Sequence, residues 1–131
     1  MKAAIYARAA TNEGDVHDNQ VAACRAYCKE RGYTVVDELV IQEMATSTNK
    51  QREGIKKLIQ AAKEGKFDIL VIKDKTRLSR RESQRIAFTY LFDRETIYIE
   101  YIEKEAHTMD SFMRPILFIV GEVIEVIKLY S

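Results

Sequence analysis

The stretch Ala3-Ala4-Ile5-Tyr6-Ala7-Arg8-Ala9-Ala10-Thr11 decides the fold. From Ala3 to Arg8 the run is apolar at positions that face both sides of a strand, which is typical of a central strand in a parallel sheet. Arg8 interrupts this run at the carboxyl end of the strand, and ligands bind at the carboxyl ends of strands in open α/β sheets. A guanidinium is costly to bury without an anion, so we expect Arg8 to pair with a carboxylate or to bind a phosphate.

The rest of the chain alternates between helical and strand patterns. The patterns predict helices over 17–31, from Arg52 to Gly65 and over 81–94, strands over 33–41, 67–72 and 96–102, and a polar loop over 42–51. This order predicts an α/β fold with a mostly parallel sheet of four to five strands and helices on both faces.

A further helix is predicted over 110–131, capped by Asp110 or Ser111 and with Pro115 in its first turn. From Ile116 onward apolar side chains occupy nearly every side of this helix. One face can pack on the sheet, and the remainder predicts a partner surface, most simply that of a second copy. A helix wholly buried inside one domain is the alternative, but little chain remains to cover it.

Composition and length set broad limits on the protein. The 131 residues fit one domain, with an α/β core over about 1–108 and a helix over about 110–131. The net charge of +1 gives no overall argument for nucleic acid. The chain has neither an apolar run of about 18 residues nor a signal-peptide pattern, so we expect a cytoplasmic protein that does not enter the membrane. Cys24 and Cys28 have no second ligand pair at metal-binding spacing, so we expect buried, apolar roles for them.

A second basic stretch, Lys73-Asp74-Lys75-Thr76-Arg77-Leu78-Ser79-Arg80-Arg81, directly follows the third predicted strand. A basic run alone is usually a solvated loop. This run, however, shares the carboxyl edge of the sheet with Arg8, and Arg52 stands at a helix start. Arginines from these places can converge on one phosphate, which suits bidentate guanidinium recognition.

Two of these stretches resemble motifs of the serine recombinases, the resolvase/invertase family of site-specific DNA recombinases. Tyr6-Ala7-Arg8-Ala9-Ala10-Thr11 resembles their opening motif, Tyr-x-Arg-Val-Ser-Thr, and Arg77-Leu78-Ser79-Arg80 resembles their Arg-Leu-x-Arg motif. The resemblance extends from Met1 to about Lys128. It implies a resolvase-like fold with a long C-terminal dimerisation helix, and DNA strand cleavage and exchange through a phosphoserine link without any cofactor. Ala10 stands at the position of the nucleophilic serine, so the chain is expected to be inactive as written.

The resemblance also implies roles for individual residues. Arg52-Glu53-Gly54 resembles the family's Arg-Pro-Gly, Asn19-Gln20 its early helical amide, and Thr46-Ser47 its Ser-Gly. The implied catalytic positions are Ala10, Arg8, Arg77, Arg80 and Arg52, and the implied substrate-binding positions are Gln20, Thr46, Thr76 and Lys73. For Gln20 and Thr46 an ordinary role as surface polar residues remains an equal alternative.

The implied partners are DNA, bound through its scissile phosphate, a second copy bound through the 110–131 helix, and a tetramer at synapsis. Family members continue into a DNA-binding region, and we expect none in this chain. A non-catalytic dimeric module that binds DNA or a recombinase remains an alternative. A phospho-receiver domain is disfavoured, because Arg8 and Lys73 stand where that class needs acidic residues. Thr11 is a poor substitute nucleophile, because adjacent side chains of an extended segment point to opposite sides.

Overall fold

The computed structural model describes residues 1–9, 14–44, 52–104 and 116–131. The helices and strands, in chain order, are β1 (Lys2–Ala9), α1 (Gly14–Arg31), β2 (Thr34–Met44), α2 (Glu53–Lys63), β3 (Ile69–Ile72), α3 (Lys75–Leu78), α4 (Glu82–Arg94), β4 (Tyr98–Tyr101) and α5 (Ile116–Tyr130).

The four strands form one sheet in the order β2-β1-β3-β4, and every neighbouring pair is parallel. β1 therefore lies in the interior of the sheet, as its apolar pattern predicts. Its register with β3 ends at Tyr6 and Ile72, whereas its register with β2 continues to Ala9 and Met44. Arg8 thus lies beyond the end of β3, at the carboxyl edge of the sheet. The predicted α/β fold with a mostly parallel sheet is confirmed, with four strands among the described residues.

Helices cover both faces of the sheet. On one face, Cys24 and Cys28 of α1 pack against Ile5 of β1 and Val71 of β3. On the other face, α2, α4 and α5 cover the alternate strand residues Ala4, Tyr6, Leu70 and Ile72. Both cysteines are free and fully buried, as predicted, and burial raises the pKa of the Cys24 thiol to about 12.

Most helices and strands differ from their predicted bounds by one to three residues, and three departures from the sequence prediction bear on the candidate site. β2 continues to Met44 rather than ending at Ile41, so three residues predicted as loop belong to an edge strand, where polar side chains remain accessible. The stretch after β3 contains a short helix, α3, which starts because the Asp74 carboxylate accepts the N–H groups of Thr76 and Arg77. Arg52 is the residue before α2 rather than its first helical residue.

The last helix packs against α4 with one face only. Tyr130 is buried, and its ring contacts that of Phe88 edge-on with centroids 4.9 Å apart. Val120, Ile124 and Leu129 are 40%, 46% and 56% exposed. α5 is therefore not wholly buried within this chain. Its predicted cap and Pro115 lie outside the described residues, and none of the described helices is long and apolar enough to span a membrane.

Gly54 permits α2 to approach β2 closely. A Cβ atom at this position would lie 2.7 Å from Cγ2 of Ile41 and 2.9 Å from Oε2 of Glu43. By contrast, a Cβ atom at Gly121 in α5 would meet nothing within 4 Å. The two glycines thus provide a matched pair of substitution sites.

We expect Gly54→Ala to lower the free energy of unfolding by about 1–3 kcal/mol, because Ile41 and Glu43 must move to admit the methyl group. Gly121→Ala should instead raise it by about 0.5–1 kcal/mol, because alanine loses less conformational freedom than glycine on entering a helix. Urea denaturation monitored by circular dichroism measures both, and stabilisation by Gly54→Ala would contradict the close approach.

Candidate functional site

On the side of β1 that faces β3, the main chain of Arg8 bonds to a glutamine side chain rather than to a strand. The Gln20 amide donates from Nε2 to the Arg8 carbonyl at 3.0 Å, and its Oε1 accepts the Arg8 N–H at 3.2 Å. Because β3 ends at Ile72, Gln20 occupies the place where a neighbouring strand would bond. Gln20 is 2% exposed, so it is not the surface residue of the alternative interpretation. Contact between Gln20 and a substrate remains a prediction.

The Arg8 side chain lies among other positive charges. Its guanidinium is half-buried, and its Nε is buried without a hydrogen-bond partner among the described residues. Burial lowers the pKa of Arg8, and the charges of Arg52 and Arg80 lower it further, against the effects of Tyr6 and Glu43. Arg52 and Arg80 thus both act electrostatically on Arg8.

Arg52 is buried almost completely, at 1% exposure. Its Nη2 donates to the hydroxyl of Tyr6, and its Cζ lies 5.4 Å from the centroid of the Tyr6 ring and 5.2 Å from that of Phe88. Oε2 of Glu43 lies 4.0 Å from Nε of Arg52, which is too long for a hydrogen bond. Nε and Nη1 have no hydrogen-bond partner among the described residues.

Glu43 and Tyr6 were not singled out by the sequence analysis. Glu43 accepts the Tyr6 hydroxyl at 2.5 Å and the N–H of Gly54 at 3.4 Å, so it links β1, β2 and the start of α2. Burial raises the pKa of Tyr6, and the Glu43 charge raises it further, against the effect of Arg52. The phenol therefore stays protonated. The register that pairs Arg8 with Glu43 would have revealed this carboxylate, but it requires β2 to extend past Ile41.

Arg77, in α3, joins this group from the other side of β1. Its Nη1 donates to the Arg8 carbonyl at 3.2 Å, and its Nε is buried without a hydrogen-bond partner among the described residues. Arg80 is exposed and follows the buried Ser79. Arg8, Arg52 and Arg77 thus lie at one edge of the sheet, and the charge of Arg80 acts on Arg8 there.

Ser79 fixes the turn that carries Arg80. Its hydroxyl donates to Oε1 of Gln84 at 2.6 Å and accepts the N–H of Arg81 at 3.1 Å, while its carbonyl accepts from Nη1 of Arg85 at 2.8 Å. The sequence analysis did not identify this role for Ser79. A serine two residues before the predicted start of a helix at Arg81 is the signal that would have indicated it.

The other predicted site residues are placed differently. The Thr76 hydroxyl donates to Oδ1 of Asp74 at 2.5 Å, so it takes part in capping α3. Lys73 directly follows β3, and its carbonyl accepts the N–H of Glu103 at 2.8 Å. Ala10 and Thr46 lie outside the described residues.

The arginines share one chemical property. Nε of Arg8, Nε and Nη1 of Arg52, and Nε of Arg77 are buried donors without hydrogen-bond partners among the described residues. Buried donors in native proteins nearly always have an acceptor, so this edge is suited to an anion with several oxygens. The described residues include no group of three or more His, Cys, Asp or Glu able to hold a metal ion.

We expect Glu43→Gln to lower the free energy of unfolding by about 2–3 kcal/mol at neutral pH, because it leaves the buried Arg52 charge without its carboxylate. Glu64→Gln is the matched control, because Glu64 is exposed and pairs with Lys66 at 3.0 Å on the surface. Urea denaturation measures both variants, and equal effects would contradict the compensating role of Glu43.

Solved recombinase domains resemble this structure. The C-terminal catalytic domain of ISC1926 TnpA, an IS607-like serine recombinase, has a TM-score of 0.72 and 25% identity, with 96% of this chain and 80% of that chain covered. The N-terminal catalytic domain of TP901-1 integrase has a TM-score of 0.67 and 22% identity, with 95% and 97% covered. A resolvase family site-specific recombinase from Streptococcus pneumoniae has a TM-score of 0.65 and 14% identity, with 98% and 93% covered. At the two lower identities the likeness shows the fold alone.

The family model described as "Resolvase, N terminal domain" matches residues 3–127. The matched range contains the whole sheet except Lys2, all four arginines and most of α5. The chain therefore belongs to the resolvase N-terminal domain family, the family of serine recombinase catalytic domains.

Proposed function

We propose that this chain is the catalytic domain of a site-specific DNA recombinase, and that Arg8, Arg52, Arg77 and Arg80, the arginine cluster, bind a phosphate of the DNA backbone. One observation carries the proposal: three of these arginines have buried donors that no described residue accepts. A phosphate supplies several charged oxygens in one group and matches the planar fork of a guanidinium.

Electrostatics supports the same ligand. The neighbouring guanidinium groups of Arg52 and Arg80 lower the pKa of Arg8, in addition to the effect of burial. An anion placed between these groups removes their mutual repulsion and compensates the buried charges. DNA adds the release of condensed counterions, so binding of this kind weakens as the salt concentration rises.

The chemistry depends on position 10. In serine recombinases a serine hydroxyl attacks a DNA phosphate, which forms a phosphoserine link and releases a 3′-hydroxyl. The 3′-hydroxyl of a partner strand then attacks the phosphoserine link and frees the serine. Arginines stabilise the charge that develops on the phosphoryl oxygens, and no metal or nucleotide is needed. The methyl group of Ala10 cannot form that link, so the chain as written binds but does not cleave.

A binding role without catalysis is the second candidate. The retention of the arginine cluster beside a non-nucleophilic Ala10 favours it. In this role the chain associates with DNA or with an active recombinase as a pseudoenzyme. The two candidates differ only in whether a serine at position 10 yields a covalent protein–DNA adduct.

The exposed apolar side chains of α5 support association with a second copy. Val120 and Ile124, which are one helical turn apart, are exposed on a helix whose other side packs on α4. An exposed apolar surface of this kind is typical of an interface. We propose that α5 mediates a homodimer, that two dimers meet as a tetramer at synapsis, and that the protein acts in the cytoplasm, where it meets its DNA.

We expect Arg8→Gln and Arg77→Gln each to weaken binding of a short DNA duplex about tenfold, because each removes a charge-assisted bond to phosphate worth about 1.5 kcal/mol. Arg25→Gln changes the net charge equally but lies on α1, where Arg25 pairs with Asp37 at 3.0 Å. Fluorescence anisotropy at one fixed salt concentration measures all three. A loss with Arg25→Gln as large as with Arg8→Gln would contradict a localised site.

We expect Ala10→Ser to form a covalent DNA adduct when the chain is joined to a DNA-binding domain and given its supercoiled target. The unchanged sequence and an Ala10→Val control should form none, because neither has a hydroxyl at position 10. Denaturing electrophoresis detects the adduct. An adduct with the unchanged sequence that disappears with Thr11→Ala would contradict the role of position 10.

A further inference from the structure

The last turn of α5 forms one wall of the compartment that encloses Arg52. Tyr130 is 5% exposed, and its hydroxyl accepts the main-chain N–H of Arg52 at 3.4 Å. The Tyr130 ring also packs edge-on against Phe88, at 4.9 Å between centroids. The same Phe88 ring lies 5.2 Å from the Arg52 guanidinium carbon. Tyr130 therefore contacts the Arg52 main chain directly and its side chain through Phe88.

The C-terminal end of α5 also contacts α2, the helix that follows Arg52. Nζ of Lys63 donates to the carbonyl of Ser131 at 3.3 Å, and Nζ of Lys56 lies 6.0 Å from the centroid of the Tyr130 ring. Earlier in α5, the side chains of Val120 and Ile124 are exposed. Attachment at the C-terminal turn thus joins α5 to the helix that directly follows Arg52.

We propose that Tyr130 is a positioning residue for Arg52, so that docking of the C-terminal turn of α5 and binding of phosphate stabilise each other. This inference rests on the proposed function of the arginine cluster. Without the Tyr130 ring, Phe88 loses its edge contact and water reaches the guanidinium. Arg52 then has to be ordered when the anion binds, which costs affinity.

Thermodynamic linkage makes the coupling reciprocal. If a docked α5 raises the affinity for phosphate by some factor, bound phosphate favours docking of α5 by the same factor. Because α5 is also the proposed dimer helix, the phosphate site then responds to rearrangement of the partner surface. No covalent step is involved, and the coupling operates with Ala10 in place.

The test compares Tyr130→Ala and Tyr130→Phe with Tyr98→Ala, the same substitution at a tyrosine of β4 that is 71% exposed. Anisotropy with a short fluorescent DNA duplex should show affinity about tenfold lower for Tyr130→Ala, about twofold lower for Tyr130→Phe, and unchanged for Tyr98→Ala. Thermal melts verify that each variant is folded at the temperature of the titration.

Amide hydrogen exchange distinguishes the proposed coupling from a simple loss of packing, which would not make the exchange rate depend on DNA. The amide of Ser131, which bonds to the carbonyl of Ile127, should exchange more slowly when the duplex is added to the unchanged chain. The duplex should have no such effect on Arg52→Gln. The Arg52 amide should exchange faster in Tyr130→Phe even without DNA.

The outcomes of these experiments distinguish a failure of the positioning role of Tyr130 from a failure of the proposed phosphate-binding function. If Tyr130→Ala is folded and binds the duplex as the unchanged chain does, while Arg8→Gln weakens binding, the positioning role alone is overturned. Protection of Ser131 that does not respond to the duplex overturns the coupling in the same way. If the unchanged chain binds no duplex, the proposed function fails and the positioning role fails with it.

Discussion

The guanidinium of Arg52 carries a positive charge into the protein interior, and the surrounding elements are arranged to tolerate it. Burial of a charge is expensive unless a partner of opposite sign lies close by. β1 supplies the hydroxyl of Tyr6, β2 supplies the carboxylate of Glu43, and α4 supplies the ring of Phe88. The close approach of α2 to β2 at Gly54 brings Arg52 within reach of these groups. The end of β2, the start of α2 and the Phe88 ring of α4 therefore meet around one buried charge.

The compensation is incomplete in a way that agrees with a binding site. Glu43 and Tyr6 compensate part of the Arg52 guanidinium. Arg8 and Arg77 each keep a buried Nε without an acceptor among the described residues. A stable core has few such groups, and each one calls for an explanation. The proposed anion at the carboxyl edge of the sheet supplies one. Buried donors without acceptors lower the stability of the protein without its ligand. In return, the arginine side chains are already ordered when the ligand binds.

The sequence predicted the fold more completely than the site. The apolar run that ends at Arg8 correctly located the central strand, and the position of the basic stretch after β3 brought Arg77 to the same edge. Glu43 was missed because polar residues at the end of an edge strand have the composition of a loop. Tyr130 was missed because its contact with Arg52 joins positions 78 residues apart, and no local pattern encodes such a pairing. Gln20 was proposed from its resemblance to a family amide and not for its bonds to the Arg8 main chain. A side chain that replaces a neighbouring strand is visible only in three dimensions.

The central claim is that the buried donors of Arg8, Arg52 and Arg77, which have no acceptor in the part of the chain that the structure describes, bind one phosphate. The most direct measurement follows the Nε–H signals of these three arginines by ¹H–¹⁵N NMR during titration with inorganic phosphate, with each signal assigned from a single Arg→Lys variant. The account predicts that all three signals shift together with one dissociation constant, while the Nε–H signal of Arg25 does not move. Signals that stay in place, or that shift with unrelated dissociation constants, would contradict a shared phosphate site.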